Sequence, residues 1–391
     1  MMDFPPDRIG EMSYPTRVSF GNGAISRLPE HLERLRAKRP LLVTDAGVAK
    51  AGLVQRVAGV LRQAGLAHEL FDQVESDPTE KVVLSGLERY RSGKCDGLIA
   101  LGGGSPLDAA KLIRLLTTHE PPLSRYDGAR AGDQQVQDNL PPLVAVPTTA
   151  GTGSEVSPSA VVTLKDSRRK MVISSPFLMP EAAICDPQLT VGLPPGLTAS
   201  TGMDAFAHCL EAFVSSGFHP LADAVAIDGI SRVMRSLETA FQDGKNLTAR
   251  ADMMVAAMEG AMALQKGLGA CHSLAQALTP VSGVHHGLAS AICLPAVLEF
   301  NRASCTARLA RVAVAMGDNS LARQEVLAGN AVERVRKLNA RIGIPARLRE
   351  VGVKEADLAQ IARTAFEDAS HHANPRRCTE DDLLALAREV Y

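Results

Sequence analysis

The stretch CDGLIALGGGSPLDAAKLIRLL, residues 95–116, decides the fold class of this chain. Its first part, Cys95–Leu101, is a nearly continuous apolar run, as expected for a strand that is buried on both faces. Three glycines and Ser105 follow, and Pro106 opens a helical pattern that reaches Leu116. A buried strand that passes through glycines into a helix is half of a βαβ unit, so the stretch predicts a parallel sheet covered by helices.

The same alternation of strand and helix continues on both sides of this stretch. Apolar runs between turn residues predict further strands at Arg17–Phe20, Arg39–Thr44, His68–Phe71, within 140–157 and at Ala182–Asp186. Helical patterns between them predict helices at Ala24–Leu35, at Leu53–Ala64 and from Thr79 to Arg91. A hairpin is expected from Ala160–Leu164 and Lys170–Ser174.

The character of the chain changes at Leu197. From there almost to Tyr391, long stretches rich in Ala, Leu, Met and Arg follow the helical period, with few strand signals. The sequence therefore predicts two domains: an α/β dinucleotide-binding domain at 1–190 and an all-α domain at 191–391.

Composition and charge argue against several classes of protein. The 391 residues carry a net charge of −1, so no polyanionic partner is indicated. No basic run with interleaved aromatic residues suggests nucleic acid, and no apolar run approaches the roughly twenty residues that span a bilayer. The start, MMDFPPDRIGEMSYP, lacks the apolar core of a signal peptide, and residues 1–13 are expected to form a loose lead. Seven irregularly spaced cysteines are typical of a reducing compartment, so we expect a cytoplasmic protein.

The glycine-rich turn is a candidate phosphate site. Gly102, Gly103 and Gly104 let backbone amides approach a diphosphate closely, and the following helix N-terminus favours its negative charge. A second turn rich in hydroxyls and glycine, Thr148–Ser154, offers further donors. The spacing is not GxGxxG, so this is no ordinary Rossmann fingerprint, and a glycine cluster alone is also typical of a plain turn.

Asp45 follows the predicted strand Arg39–Thr44 and has two alternative roles. A carboxylate at this place can accept from the 2′-hydroxyl of an adenosine ribose and repel a 2′-phosphate, which favours NAD(H) over NADP(H). Aspartate is also a common N-cap of a helix. The sequence leaves both roles open.

An aspartate and a histidine in the helical half predict part of a metal site. Asp204 and His208, in TGMDAFAHCLEAF (201–213), are four residues apart and therefore share one face of a helix. A carboxylate and an imidazole one turn apart are half of a divalent-metal site. The alternative is a solvated helix face, which is the more common setting of such a pair.

Two further histidines supply the other half. His272 and His286, in GACHSLAQALTPVSGVHHG (269–287), are separated by Pro280 and Gly283, so we expect them on successive helices. One carboxylate oxygen and three imidazole nitrogens suit Fe²⁺, Zn²⁺, Ni²⁺ or Co²⁺ better than Mg²⁺ or Ca²⁺. His272 alone is also compatible with a core histidine that has hydrogen-bond partners.

Several long motifs in order resemble the iron-containing, or group III, alcohol dehydrogenase family. They are GGGSPLDAAK (102–111), PTTAGTGSEVS (147–157), DPQLTVGLPPGLTASTGMDAFAHCLEAFVS (186–215), HHGLASAICLPAVLEFN (285–301) and NPR (374–376). The resemblance covers nearly the whole chain. It implies an α/β nucleotide-binding domain followed by a helical domain, and a homodimer or higher homo-oligomer.

The resemblance also implies the residues of the site. The implied metal ligands, which act in catalysis through the metal, are Asp204, His208, His272 and His286. The implied cofactor-binding residues are Asp45, Gly102, Gly103, Gly104, Ser105, Asp108, Thr148, Thr149, Ser154 and Lys170. Fe²⁺ is the implied metal, with Zn²⁺ or another divalent ion as alternatives. The implied cofactor is NAD(H) or NADP(H), and the charge of Asp45 favours NAD(H) over NADP(H).

Two positions depart from the pattern of the family. Many members carry a second histidine where this chain has Gln276, and a proline where it has His285. Glutamine can donate and accept hydrogen bonds but does not titrate near neutrality. Gln276 and His285 are therefore expected beside the ligands, with His285 as a candidate proton relay or a simple surface residue.

These observations predict a metal-dependent, NAD(P)-linked alcohol dehydrogenase or aldehyde reductase. Hydride would pass between the nicotinamide and a small alcohol or aldehyde held at the metal. One alternative is a reductase of the maleylacetate type, which acts on an anionic carbonyl substrate. The other is a nucleotide-binding protein without catalysis. The expected partner is a small-molecule substrate, with neither nucleic acid nor a membrane.

Overall fold

The computed structural model describes residues 16–128, 131–164 and 169–391, which form two compact units. One unit runs from the first described residue to Thr198 and includes Thr239–Met254. The other consists of Ala199–Glu238 and Val255–Tyr391. The N-terminal segment expected to be a loose lead lies outside the described residues, and the division of the chain at residue 190 stays a prediction.

The first unit is built on a parallel sheet, which confirms the α/β prediction. The described strands are β1 Arg17–Phe20, β2 Pro40–Asp45, β3 Glu69–Val74, β4 Gly97–Gly102, β5 Leu143–Pro147, β6 Ser159–Leu164, β7 Arg169–Ser174 and β8 Ala182–Cys185. Six of them form one sheet in the order β1-β8-β5-β4-β2-β3, in which every neighbouring pair is parallel. The strands β6 and β7 form the expected antiparallel hairpin.

The central strands are buried because both faces of the sheet carry a hydrophobic core. Successive residues of β4 point to opposite faces, as the period of two in a strand requires. Leu98 and Ala100 join one core cluster, whereas Ile99 and Leu101 join the other. This is the reason why the strand reads as a continuous apolar run rather than as an alternating one.

Helices cover this sheet between the strands. They are α1 Leu28–Arg34, α2 Ala46–Lys50, α3 Leu53–Gln63, α4 Glu80–Ser92 and α5 Gly104–Leu116. The helix α5 begins at Gly104, two residues before the predicted start at Pro106.

Two other elements differ from the prediction. The segment expected to be one helix is a 3₁₀ turn, Ala24–Arg27, followed by α1, because Pro29 in the first turn lacks the N–H that a continuous helix would need. The helix α2 was not predicted, since five residues are too few to show a helical period.

The remainder of the chain is helical, as predicted. The helices are α6 Pro195–Val214, α7 Pro220–Gln242, α8 Leu247–Ala263, α9 Ala270–Ser282, α10 His286–Asn301, α11 Thr306–Ala315, α12 Gln324–Arg341, α13 Leu358–Glu367 and α14 Glu380–Glu389. In the described part of the chain, no helix combines the length and the apolar character that crossing a membrane requires.

Candidate functional site

The helix α6 carries the first two predicted ligands on one face. Asp204 and His208 stand one turn apart, and both are buried. They lie in the middle of a helix of 20 residues, in which the neighbouring residues Met203, Ala205, Phe206 and Ala207 are apolar and completely buried. Groups that are buried in this way require partners, because a polar side chain loses its water on burial.

The helices α9 and α10 bring the other two predicted ligands, which confirms that the histidines lie on successive helices. His272 is in the first turn of α9, and His286 is the first residue of α10. Gly283 ends α9 with φ 73°, a left-handed conformation that suits glycine. Gly287 lets α10 approach α6, since a Cβ here would lie 2.3 Å from the carbonyl oxygen of Ser200.

The four side chains meet at one place. Ligand atoms of Asp204, His208 and His272 all lie within 4.8 Å of one another. The Oδ1 atom of Asp204 is 3.5 Å from Nε2 of His286 and 4.0 Å from Nε2 of His272. The rings of His208 and His272 stack with their centroids 4.5 Å apart. The structure thus brings together residues that are up to 82 positions apart in the sequence.

This donor set fits a divalent metal. The Nε2 atom of His272 is buried and has no hydrogen-bond partner among the described residues, although it is directed towards Asp204. A buried nitrogen with a free lone pair is costly unless something binds it, and a cation would do so. Burial alone would raise the pKa of Asp204, but the imidazoles of His208, His286 and His272 outweigh it and lower the pKa. The carboxylate is thereby held ionised, as a ligand must be.

Glu211 is a site residue that the sequence analysis missed. Its Oε2 atom lies 2.5 Å from Nδ1 of His272, and both side chains are 1% exposed. Burial by itself would lower the pKa of His272, but the hydrogen bond and charge of Glu211 raise it. In the neutral form that a metal requires, His272 donates its Nδ1 proton to this carboxylate, which leaves the lone pair on Nε2. Its position, seven residues after Asp204 on the same helix face, was the available signal.

The two residues that depart from the family pattern lie close by in sequence. Gln276 is one turn after His272 on α9, and its Oε1 atom is buried without a hydrogen-bond partner among the described residues. His285 directly precedes α10 as its N-cap residue, is exposed and makes no capping bond with its side chain. The roles of Gln276 and His285 in proton transfer stay predictions.

The two predicted cofactor turns lie against each other. Gly103 caps α5, and a Cβ on Gly104 would lie 2.7 Å from a methyl carbon of Thr152. The N–H of Thr148 donates to the carbonyl of Gly102 at 2.9 Å. The glycine turn, the start of α5 and the hydroxyl-rich turn therefore lie together, and the helix N-terminus among them suits a diphosphate. The adjacent Thr149 also faces Gly103.

The other predicted cofactor residues are engaged with the protein itself. Asp108 accepts from the hydroxyl of Ser154 at 2.6 Å and from the N–H of Val161 at 3.1 Å. The hydroxyl of Ser105 accepts from the N–H of Asp77 at 3.3 Å. These contacts hold the two turns in place, and direct contacts of Ser105, Asp108 and Ser154 with the cofactor stay predictions.

Lys170, in the hairpin strand β7, is another predicted cofactor residue that is bonded to the protein itself. The ammonium of Lys170 pairs with a carboxylate oxygen of Asp77 at 2.6 Å. The lysine side chain is only 7% exposed, so the pair fixes β7 beside the turn that precedes α4.

Lys111 was also missed by the sequence analysis. It is completely buried, and its ammonium donates to the hydroxyl of Ser154 and to the carbonyls of Ser157 and Ser159, at 2.7–2.8 Å. Burial lowers its pKa to about 8, against the opposing charges of Asp108 and Glu155. The lysine ties α5 to the chain that follows the second turn.

Asp45 is the N-cap of α2, which is one of the two roles that the sequence left open. Its Oδ1 atom accepts from the N–H of Val48 at 2.9 Å. The residue ends β2, which pairs in parallel with β4, so Asp45 and the glycine turn lie at the same edge of the sheet. A contact with a ribose is compatible with this place but stays a prediction.

Known proteins resemble the chain over nearly its whole length. The family model described as "Iron-containing alcohol dehydrogenase" matches residues 15–187, and the model "Fe-containing alcohol dehydrogenase family, C-terminal" matches residues 198–391. A 4-hydroxybutyrate dehydrogenase from Cupriavidus necator is 43% identical over 385 residues, which are 96% of this chain and 98% of that protein. A 1,3-propanediol dehydrogenase from Klebsiella pneumoniae is 39% identical over 388 residues, covering 98% and 99%.

Solved structures agree with this similarity. That of a 1,3-propanediol oxidoreductase superposes with a TM-score of 0.94 at 37% identity and covers 98% of this chain and 100% of its own. An alcohol dehydrogenase from Oenococcus oeni superposes with a TM-score of 0.93 at 32% identity, with the same coverage.

Proposed function

The chain belongs to the iron-containing alcohol dehydrogenase family, and on this premise we propose that it interconverts a small alcohol and its aldehyde with a divalent metal and NAD(H). The observation that carries the proposal is the convergence of Asp204, His208, His272 and His286, where the buried Nε2 atom of His272 has no hydrogen-bond partner among the described residues. The non-catalytic alternative is set aside, since the family is one of oxidoreductases.

These four side chains would hold the metal, which would act as a Lewis acid on the oxygen of the alcohol or carbonyl group. Glu211 keeps the proton of His272 on Nδ1, which reserves Nε2 for the ion. The glycine turn and the N-terminus of α5 would bind the diphosphate of the cofactor. Because Gln276 does not titrate, the proton of the alcohol would leave to solvent or to His285.

The finer choices of metal and cofactor are also proposals. Fe²⁺ is favoured by the family, while the donor set accepts Zn²⁺ equally well. NAD(H) is favoured over NADP(H), because the carboxylate of Asp45 at the sheet edge would repel a 2′-phosphate. We further propose a homodimer or larger homo-oligomer, by the resemblance to the family. A cytoplasmic setting is supported by the seven free cysteines, six of them buried.

An alcohol that carries a carboxylate is the second candidate substrate. The relative from Cupriavidus necator bears the name of a hydroxy-acid dehydrogenase, whereas that from Klebsiella pneumoniae bears the name of a diol dehydrogenase. These two substrates differ mainly in the charge of the group at the end opposite to the reacting hydroxyl. A comparison of 4-hydroxybutyrate with 1,3-propanediol therefore separates the anionic candidate from the neutral one.

The test is turnover of the metal-loaded enzyme. Metal-free protein would be loaded with Fe²⁺ without oxygen, or with Zn²⁺, and assayed for reduction of NAD⁺ or NADP⁺ with both alcohols. We expect activity that depends on the metal and is higher with NAD⁺. His286→Ala should lose both metal and activity but still bind NAD(H). Full metal occupancy and normal turnover in His286→Ala would contradict the ligand assignment, and no hydride transfer by the loaded wild type would contradict the function.

A further inference from the structure

The N-terminus of α9 is capped by side chains from other parts of the chain. The first amides of a helix have no intrahelical partner, and the N-cap residue of α9, Gly269, has no side chain to supply one. The N–H groups of Cys271 and His272 donate to Glu211, at 2.8 and 3.2 Å. The N–H of Ala270 donates to Oδ1 of Asn374 at 3.2 Å.

Glycine is needed at position 269 for this arrangement. A Cβ there would lie 2.5 Å from Oε1 of Glu211 and 2.7 Å from Oδ1 of Asn374. Both oxygens thus reach the amides from the side on which an ordinary N-cap residue would carry its own side chain. Because a backbone N–H can only donate, the atom of Asn374 that faces Ala270 must be the oxygen.

Asn374 is itself fixed by bonds to two other elements. It forms a reciprocal amide pair with Asn301, the last residue of α10, at 2.7 and 2.9 Å. Its nitrogen also donates to the carbonyl of Arg376 at 2.6 Å. Asn374 is 5% exposed, and Asn301 is 1% exposed. One buried amide therefore connects the start of the helix that carries His272 with the end of the helix that carries His286.

The segment before Asn374 is attached to the same turn of α9. The hydroxyl of Ser273 donates to Asp368 at 3.0 Å and accepts from the N–H of His371 at 2.9 Å. Asp368 in turn accepts from the N–H of Ser370 and so begins the 3₁₀ turn Ala369–Ala373. Residues 368–374 thus lie along the first turn of α9 on both sides of His272.

We propose that Asn374 is a positioning residue for the metal centre. It acts by fixing the backbone at the start of α9, next to His272. The inference rests on the proposed function. Glu211 holds the ring of His272 and part of the backbone, and Asn374 holds the amide that Glu211 does not reach. Without Asn374, the N–H of Ala270 at the start of α9 would lose its acceptor. The Nε2 atom of His272 would then lose its fixed direction towards Asp204.

Metal affinity tests this role without any assay of turnover. Metal-free wild type, Asn374→Ala and Asn339→Ala would be titrated with Zn²⁺ against a chromophoric chelator. Asn339 is the matched control, since it is another buried asparagine, and its nitrogen donates to the carbonyl of Ala291 within α10 rather than bonding to the amides that begin α9. Loss of a residue that orients a ligand typically weakens metal binding about 10- to 100-fold. We expect a weakening of at least about tenfold for Asn374→Ala and a Kd close to the wild-type value for Asn339→Ala.

The outcomes separate the inference from the proposed function. A wild type that binds no Zn²⁺ would overturn the proposed metal centre itself. A wild type that binds Zn²⁺, with a folded Asn374→Ala that binds it equally well, would overturn only the positioning role. Equal losses in Asn374→Ala and Asn339→Ala would also overturn it, because general loosening would then explain both.

Amide hydrogen exchange decides the matter if Asn374→Ala does not fold. The amides of Ala270, Cys271 and His272 in the metal-free wild type should exchange as slowly as those in the middle of α9, because each has a buried acceptor. The first-turn amides of α11, where the N-cap makes no side-chain bond, serve as the internal comparison. Fast exchange at Ala270 would overturn the proposed cap.

Discussion

At the scale of single residues, Asp45 combines a structural contact with a charge, and substitutions can separate the two. Asparagine caps helices about as well as aspartate, whereas alanine costs roughly 1 kcal/mol at an N-cap. We expect Asp45→Asn to keep the stability of the wild type and to improve kcat/KM with NADP⁺ relative to NAD⁺. Asp45→Ala should show the same cofactor effect and also lose about 1 kcal/mol of unfolding free energy.

Steady-state kinetics with both cofactors and urea unfolding would measure these effects. A wild type that already prefers NADP⁺ strongly would show that Asp45 does not face the ribose. Loss of stability in Asp45→Asn would show that the charge, rather than the cap, supports α2.

Gln276 offers a second test at this scale. Its Oε1 atom is buried and has no partner among the described residues, and the side chain cannot titrate near neutrality. Gln276→Ala should therefore raise the KM for the alcohol, by about fivefold if one hydrogen bond of roughly 1 kcal/mol is lost, with little change in the pH profile. His285→Ala is the contrasting variant, since it should flatten the profile if His285 relays the proton.

Kinetics from pH 6 to 10 with metal and cofactor saturating would follow both variants. If Gln276→Ala abolished kcat while KM, metal content and cofactor affinity stayed unchanged, the amide would act in the transition state instead.

At the scale of elements, buried charges join α5 to the turn that follows β5. Burial raises the pKa of Glu155 to about 7, with its own backbone amide and the ammonium of Lys111 opposing. The folded protein therefore keeps a proton on Glu155 between about pH 4.5 and 7, where the unfolded chain has lost it. In this window the folded state binds more protons, so the contribution of Glu155 to stability falls as the pH rises.

Glu155→Gln should remove this pH dependence. We expect the free energy of unfolding of Glu155→Gln to rise relative to that of the wild type between pH 5 and pH 7. The slope of this difference should be at most about 1.4 kcal/mol per pH unit. Urea unfolding of both proteins, free of metal, would measure it. A difference that does not change with pH would mean that Glu155 is ionised throughout.

At the scale of the whole molecule, the metal would cross-link distant parts of the chain. The four proposed ligands come from α6, α9 and α10, and this set exists only in the folded state. Zn²⁺ at one hundred times its Kd should therefore raise the apparent stability by about 2.7 kcal/mol. His272→Ala should lose most of this increment, because it removes one ligand and the partner of Glu211.

Thermal unfolding with Zn²⁺ and with a chelator would measure the increment. A melting temperature that saturating metal leaves unchanged in the wild type would contradict a site formed by these three helices.

The sequence by itself determined the features that depend on local patterns. The apolar run of β4, the glycine turn and the helical period after Leu197 were sufficient to predict the parallel sheet and the helical remainder. The breaks at Pro280 and Gly283 were sufficient to place His272 and His286 on different helices. Such features follow from neighbours within a few residues, which is the range over which backbone preferences act.

Only the tertiary structure decided which faces meet. The bond from His272 to Glu211 spans 61 positions, and that from Ala270 to Asn374 spans 104. Helical periodicity shows that Glu211 shares a face with Asp204, but it does not show which helix packs against that face. From the sequence, Lys111 is indistinguishable from an ordinary solvated lysine. Only the structure shows that its ammonium is buried and bonded to three acceptors in residues 154–159. The physical reason is that a buried polar group is tolerated only with its partners, and packing alone brings those partners together.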